Sequence, residues 1–177
     1  MTGDARYVWS LCKDCGSTVS NPYPDNRVAQ LLFGTAAQES NFQARRQSGF
    51  KAGSLRGGFG LWQLERESVT DSLILTRSKA VLREKSIKFI GDAYKSILDR
   101  GDPEVILQMM VRSEGDRLSC LFSRLHYLRV HDPIPPTVPA HAQYWKTFYN
   151  TVKGKGTVSQ YLANWKSLCS NVANETP

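Results

Sequence analysis

Residues 25–40 are the most regular stretch of the sequence and read DNRVAQLLFGTAAQES. Aspartate and asparagine, the first two residues, are types that favour the N-cap of a helix. Apolar side chains then recur at three- and four-residue spacing from Val28 to Ala37, as they do along one buried helix face. The stretch therefore predicts a helix that continues to about Glu39.

Helical periodicity continues along most of the chain. We predict further helices from Pro103 onward and over residues 78–100, 118–130, 140–152 and 158–168. Residues 41–60 contain five glycines, which is typical of a long loop. No alternating pattern of useful length indicates a strand. The sequence thus predicts an all-α fold of about seven helices with one glycine-rich loop, in a single domain over residues 1–177 with a core over about 25–170.

Composition and charge narrow the class of protein. The chain has 177 residues, of which 41% are hydrophobic and 22% charged, and this excludes a disordered or fibrous protein. Lysine and arginine number 23 against 16 acidic residues, so the net charge of +7 favours polyanionic partners such as nucleic acid, a membrane surface or the bacterial envelope. No known nucleic-acid-binding motif accompanies this charge, so nucleic acid is not expected as a specific partner.

Neither a membrane span nor a metal site is expected. No apolar run approaches the roughly 20 residues that cross a bilayer, and the first residues lack the basic and apolar regions of a signal peptide. The cysteines are Cys12, Cys15, Cys120 and Cys169. They and the three histidines lack the spacing of zinc ligands, so we expect reduced, partly buried cysteines and no cofactor.

Glu39 is the best candidate for chemistry. It lies at the C-terminal end of the predicted helix, where the helix dipole places partial negative charge, and apolar residues precede and follow it. Both effects raise the pKa of a carboxyl group. A general acid that works near neutral pH needs such a carboxyl group. The glycines of residues 57–60 permit close approach to a bulky ligand, and Gln63 offers an amide donor and acceptor beside it.

Two short motifs carry a resemblance to a known superfamily. Residues 37–40 (AQES), followed after the loop by residues 60–63 (GLWQ), resemble the goose-type lysozyme and lytic transglycosylase superfamily. Residues 123–129 (SRLHYLR), 144–151 (YWKTFYNT) and 154–157 (GKGT) resemble a small bacteriophage branch of it. The resemblance implies a lysozyme-like helical fold. It also implies cleavage of the β-1,4 bond between N-acetylmuramic acid and N-acetylglucosamine in peptidoglycan.

The same resemblance implies roles for individual residues. Glu39 would be the general acid and base. Ser40 would brace the helix end or hydrogen-bond the sugar, and Gly60 would allow the substrate to approach. Gln63 would orient the substrate near the scissile bond, and Trp62 would line the cleft.

Two further site residues are expected with less direct support from the motifs. The transglycosylases carry a tyrosine in an Ala-x-Tyr-Asn-Ala-Gly segment, of which this chain has no full copy. Tyr127 is the best positional equivalent, because the Tyr-Asn pair at residues 149–150 lacks the Ala-Gly that should follow it. Hydrolysis needs a second carboxylate, for which Glu65 is the candidate. A single glutamate suffices if the C6 hydroxyl of the substrate attacks, and this transglycosylase outcome is the one we favour.

The leading interpretation is a bacteriophage glycosidase whose partners are peptidoglycan glycan strands and other virion proteins. We expect it in the virion, or in the host cytoplasm before release to the cell wall. Two alternatives stay open: a non-enzymatic phage structural protein of lysozyme-like fold that contacts DNA, and a wall-binding module without turnover. Glu39 separates these classes, because a non-enzymatic adaptor has no need of a glutamate that faces Gln63 across a glycine-lined cleft.

Overall fold

A computed structural model describes residues 4–50, 54–150 and 154–175, and the regular secondary structure within these ranges is helical. The first five helices are α1 (Ala5–Val19), α2 (Arg27–Ser40), α3 (Arg66–Ser78), α4 (Ala80–Ile90) and α5 (Lys95–Arg100). They are followed by α6 (Pro103–Met109), α7 (Asp116–Tyr127), α8 (Val138–Trp145 with a π turn, Lys146–Asn150) and α9 (Val158–Asn164, continued by a π turn, Trp165–Cys169, and by Ser170–Asn174). The all-α prediction is confirmed. No helix in these ranges has the length and apolarity that a bilayer crossing requires.

Helix α2 is the centre of the domain. It packs against α1, α7, α8 and α9, and ten of its 14 residues are buried. A helix that is apolar on nearly all sides is stable only when other helices surround it. The most regular stretch of the sequence therefore forms the core, and its C-terminal end carries Glu39 to the surface of the bundle.

The prediction of one continuous helix over residues 78–100 is wrong. The chain forms α4, a 3-10 turn at Asp92–Tyr94 and α5 instead of one helix. Gly91 ends α4 with a φ of +94°, a backbone conformation that residues other than glycine rarely adopt. The predicted end of the 140–152 helix lies outside the described residues.

Two helices, α1 and α3, were not expected from the sequence. Helix α1 begins at a capped end, where the Asp4 carboxylate accepts a hydrogen bond from the backbone N–H of Arg6 at 2.9 Å. Helix α3 buries two polar side chains, Ser72 and Thr76, whose hydroxyls each donate to a backbone carbonyl one turn earlier at 2.7 Å. Hydrogen bonding within the helix lets these polar side chains occupy core positions, and this conceals the buried face of α3 in the sequence.

One buried hydroxyl group gives a test of the packing. Tyr161 of α9 is fully buried, and among the described residues its hydroxyl group has no hydrogen-bond partner. We expect Tyr161→Phe to raise the free energy of unfolding by about 1 kcal/mol, because it removes an unsatisfied polar group. Tyr127→Phe is the matched control. It deletes a hydroxyl that shares a 2.8 Å hydrogen bond with Thr35, so it should lower that free energy by about 1 kcal/mol. Urea unfolding of both variants measures the two effects, and destabilisation by Tyr161→Phe would contradict the expectation.

Candidate functional site

An open groove of about 820 Å³ crosses the surface at the end of α2. Residues that are distant in sequence form it: the end of α2, the glycine-rich loop, the start of α3, α7, the π turn after α8 and residues 154–156. The polar and charged side chains that line it are Gln38, Glu39, Gln47, Gln63, Glu65, Glu67, Ser68, Asp71, His126, Arg129, Tyr149, Asn150 and Lys155.

Glu39 occupies the penultimate position of α2, and the chain turns sharply just after it. Asn41 and Phe42 follow in the left-handed region, with φ of 49° and 59°. The Asn41 N–H bonds to the carbonyl of Ala37, which ends the helix. A left-handed phenylalanine is strained, and the stacking of Phe42 on Phe33, with ring centroids 4.9 Å apart, offsets this cost. The turn directs the chain away from the end of α2, and Glu39 lines the groove there.

Among the described residues, one side-chain hydrogen bond holds the carboxyl group of Glu39. Trp145 Nε1, at the end of α8, donates to Glu39 Oε1 at 2.9 Å. Burial raises the pKa of Glu39 to about 7, the negative charge of Glu65 adds to this rise, and the Trp145 hydrogen bond opposes it. The predicted direction of the pKa shift therefore agrees with the structure. A carboxyl group with a pKa raised in this way is still partly protonated near neutral pH, as a general acid requires.

Gln63 lines the same groove as Glu39. It ends a tight turn over residues 60–63, in which Phe59 and Leu64 exchange two backbone hydrogen bonds of 3.0 and 2.8 Å. Its φ of 48° is left-handed, and its amide nitrogen donates to the carbonyls of Ala44 and Gly60, each at 2.8 Å. The two donated bonds use both N–H groups of the amide and leave its oxygen as the acceptor available to a ligand.

Two arginines hold the glycine-rich loop in place, Arg46 by hydrogen bonds within the loop and Arg45 by an ion pair to α7. Arg46 donates to the carbonyls of Ser54, Arg56 and Gly58, and its guanidinium lies 4.0 Å from the ring centroid of Phe59. Arg45 makes a bidentate ion pair with Asp116 of α7, with both N–O distances 2.8 Å. The Asp116 side chain is 1% exposed, so this pair is an internal anchor. The Arg45–Asp116 ion pair therefore holds the loop against α7, in addition to the burial of the loop's own rings, Phe42 and Phe59.

Three of the predicted substrate-binding residues are placed elsewhere. Trp62 is 0% exposed and donates from Nε1 to the carbonyl of Leu32 at 2.8 Å, so it belongs to the core and does not line the cleft. Ser40 is buried and its hydroxyl donates to the carbonyl of Ala36, so it braces the helix end and is not positioned to contact a sugar. A Cβ at Gly60 would lie 2.1 Å from Ser119 Oγ, so this glycine permits close packing on α7 rather than on a ligand.

The prediction for Tyr127 is also corrected. Tyr127 is 2% exposed, and its hydroxyl is hydrogen-bonded to Thr35 within the core. The tyrosine in the groove is Tyr149, whose ring packs 5.2 Å from that of Tyr127 and whose hydroxyl donates to the carbonyl of Trp62 at 2.7 Å. Tyr149 lies in the π turn after α8, an irregularity that is frequent at functional sites. The Tyr-Asn pair at residues 149–150 is thus a better candidate than Tyr127 for the equivalent of the transglycosylase tyrosine.

Part of the groove lining carries a mixed set of charges. Glu65, the second-carboxylate candidate, lies exposed at the N-cap of α3 and lines the groove with Glu67. Asp71 pairs with Arg129. His126 bonds through both ring nitrogens, donating from Nε2 to the carbonyl of Phe148 and accepting at Nδ1 from the Ser68 hydroxyl, each at 2.8 Å. Burial lowers the pKa of His126, so this ring is neutral and structural.

Sequence reasoning did not place Trp145 in the site, and it passed over Tyr149 in favour of Tyr127. Trp145 and Tyr149 belong to an aromatic run whose spacing is typical of helix packing, and each reaches the site from a helix about 100 residues after Glu39. Within the described ranges, no group of three or more His, Cys, Asp or Glu residues is arranged to hold a metal ion. Comparison with protein-family models, curated proteins and solved structures finds no match to this chain.

Proposed function

We propose that this protein is a glycosidase that cleaves the glycan strands of peptidoglycan, with Glu39 as the general acid and base. One observation carries the proposal: a partly buried glutamate with a pKa of about 7 lines an open groove, and a hydrogen bond holds its carboxyl group in place. Protonation of a glycosidic oxygen needs such a group. A surface glutamate without this role would keep an ordinary pKa near 4.3.

The choice of peptidoglycan rests on the motifs and on charge. Residues 37–40 and 60–63, which resemble the goose-type lysozyme and transglycosylase motifs, bring Glu39 and Gln63 to the same groove. The net charge of +7 favours binding to an anionic cell wall. A bacteriophage protein carried in the virion, or released to the wall from the host cytoplasm, is the biological setting that we propose from the same resemblance.

Digestion of purified sacculi tests the proposal. The protein is expected to release soluble muropeptides, which liquid chromatography and mass spectrometry identify. Binding to sacculi without the release of fragments would favour a wall-binding module. If the protein neither binds sacculi nor releases fragments from them, the result would favour a non-enzymatic phage structural protein.

The mass of the released fragments distinguishes the two reaction types. We expect muropeptides that end in 1,6-anhydromuramic acid, lighter by one water (about 18 mass units) than the hydrolysis product, because Glu39 is a partly buried groove carboxyl group with a raised pKa whereas Glu65 lies exposed. Glu65→Gln should then leave the reaction intact. Reducing ends, together with loss of activity in a folded Glu65→Gln variant, would identify hydrolysis with Glu65 as the second carboxylate.

The pH dependence follows from the raised pKa of Glu39. The acid form is needed to protonate the leaving oxygen, so activity should fall as the pH rises through about 7. With a pKa of about 7, roughly 1% of the acid form remains at about pH 9. Initial rates on soluble glycan fragments across this range measure the decline, and circular dichroism confirms that the fold persists. A flat profile from about pH 5 to about pH 9 would contradict the assignment.

A further inference from the structure

We propose that Trp145 is a positioning residue for Glu39, and that its indole N–H holds Oε1 as an acceptor so that the proton of the acid resides on Oε2. The inference rests on the proposed function. It adds a residue that lies outside residues 37–40 and 60–63, on a helix that begins about 100 residues after Glu39.

The donor and acceptor chemistry determines which oxygen of the Glu39 carboxyl group carries the proton. An indole nitrogen donates a hydrogen bond and cannot accept one. The carbonyl-type oxygen of a protonated carboxyl group is a better acceptor than its hydroxyl oxygen. The 2.9 Å bond from Trp145 Nε1 to Glu39 Oε1 therefore favours the tautomer with the proton on the other oxygen. The same bond persists when the carboxyl group ionises, so one geometry serves both the acid and the base step.

The surroundings of the indole make it a rigid donor. Trp145 is 0% exposed, and its ring packs 5.5 Å from that of Tyr161 of α9. On another side lies Gly156, where an added Cβ would be 2.6 Å from Trp145 Cη2. The indole is thus confined between a helix and a backbone segment that approaches too closely for any side chain. A donor confined in this way loses little entropy when it orients the acid.

The neighbouring elements contribute few other groups that could hold the carboxyl group. The ionisable side chains that interact with the charge of Glu39 are Glu65 before α3, Tyr127 on α7 and Tyr149 in the π turn. The groove is also lined by the ionisable side chains of Glu67, Asp71, His126, Arg129 and Lys155. Tyr149 donates its hydroxyl to a backbone carbonyl, and the ring nitrogens of His126 are both bonded. Among the described residues, Trp145 makes the side-chain hydrogen bond to the Glu39 carboxyl group.

Trp145→Phe tests the inference, because it removes the donor and retains an aromatic ring. The pKa of Glu39 is measured by carbon-13 NMR titration of glutamate carboxyl groups, with Glu39→Gln to assign its signal. We expect this pKa to rise above that of the wild type, because the carboxylate loses a donor that stabilises it. The alkaline limb of the pH–rate profile should move upward in parallel. The value of kcat should fall about tenfold with little change in KM, because orientation is lost in the reaction step.

Trp165→Phe is the matched control, since it makes the same change in the π turn of α9 and should leave both the pKa of Glu39 and the rate as in the wild type. Gly156→Ala is a second test that keeps the indole but displaces it, and it should also raise the pKa of Glu39. An unchanged or lowered pKa in the folded Trp145→Phe variant would overturn the inference. If Trp145→Phe does not fold, an unchanged pKa in Gly156→Ala overturns it. The titration needs no turnover, so a wild-type protein inactive on sacculi would refute the proposed function and leave this test intact.

Discussion

Glu39→Gln is expected to abolish the release of muropeptides while leaving the fold unchanged. The amide is nearly the same size and shape as the acid, and its oxygen can still accept the hydrogen bond from Trp145. It has no proton to give to a leaving oxygen, so the loss should be at least about a hundredfold, the lower range of a general acid's contribution. Assays on purified sacculi, with circular dichroism as a check on folding, measure the change.

Glu84→Gln is the matched control for this variant. Glu84 is exposed on α4 and does not line the groove, so the same loss of one negative charge should leave activity at the wild-type level. If the folded Glu39→Gln protein retains more than a few per cent of activity, Glu39 is not the general acid.

Asp116→Ala should produce the largest loss of stability among the predicted variants. It leaves the guanidinium of Arg45 without its bidentate partner in a site where the carboxylate is 1% exposed. Removal of one partner from a buried ion pair costs about 3 kcal/mol or more. Because the carbonyl of Arg45 also accepts a hydrogen bond from the Gly60 N–H, we expect the turn that carries Gln63 to loosen and activity to fall.

Asp99→Ala provides the comparison. Asp99 makes an ion pair of similar geometry with Arg83, but both side chains are about 30% exposed. Solvent screens the charges of this pair, so this variant should unfold at nearly the wild-type urea concentration. Equal destabilisation by the two substitutions would mean that the burial of Asp116 does not determine its contribution.

The sequence predicted the fold best where hydrophobic periodicity is strong. Helix α2 is recognisable because its buried positions are apolar, and Pro103 marks the start of α6. Helix α3 is concealed because Ser72 and Thr76 occupy buried positions. The length of the predicted 78–100 helix was wrong because a single glycine, Gly91, ends α4 through its backbone conformation.

The candidate site was predictable where local sequence carries the geometry. Glu39 at a helix end and Gln63 in a tight turn both line the groove. The aromatic residues were not predictable in this way, because burial of a large ring depends on partners from the whole chain. Trp62 is buried under α2, whereas Trp145 reaches Glu39 from the other end of the sequence. Only the packing of α8 against α2 brings the latter pair together.

The four cysteines have a practical consequence for measuring ligand binding in solution. All of them are free and 0% exposed, and burial raises the pKa of each thiol. Thiol-directed reagents react with the accessible thiolate form, so the folded protein should be inert toward maleimides. A single cysteine introduced at an exposed position, such as Glu67 at the rim of the groove, would then be the sole attachment point for a fluorescent dye. The wild-type background thus allows glycan binding to be recorded by labelling without prior removal of the native cysteines.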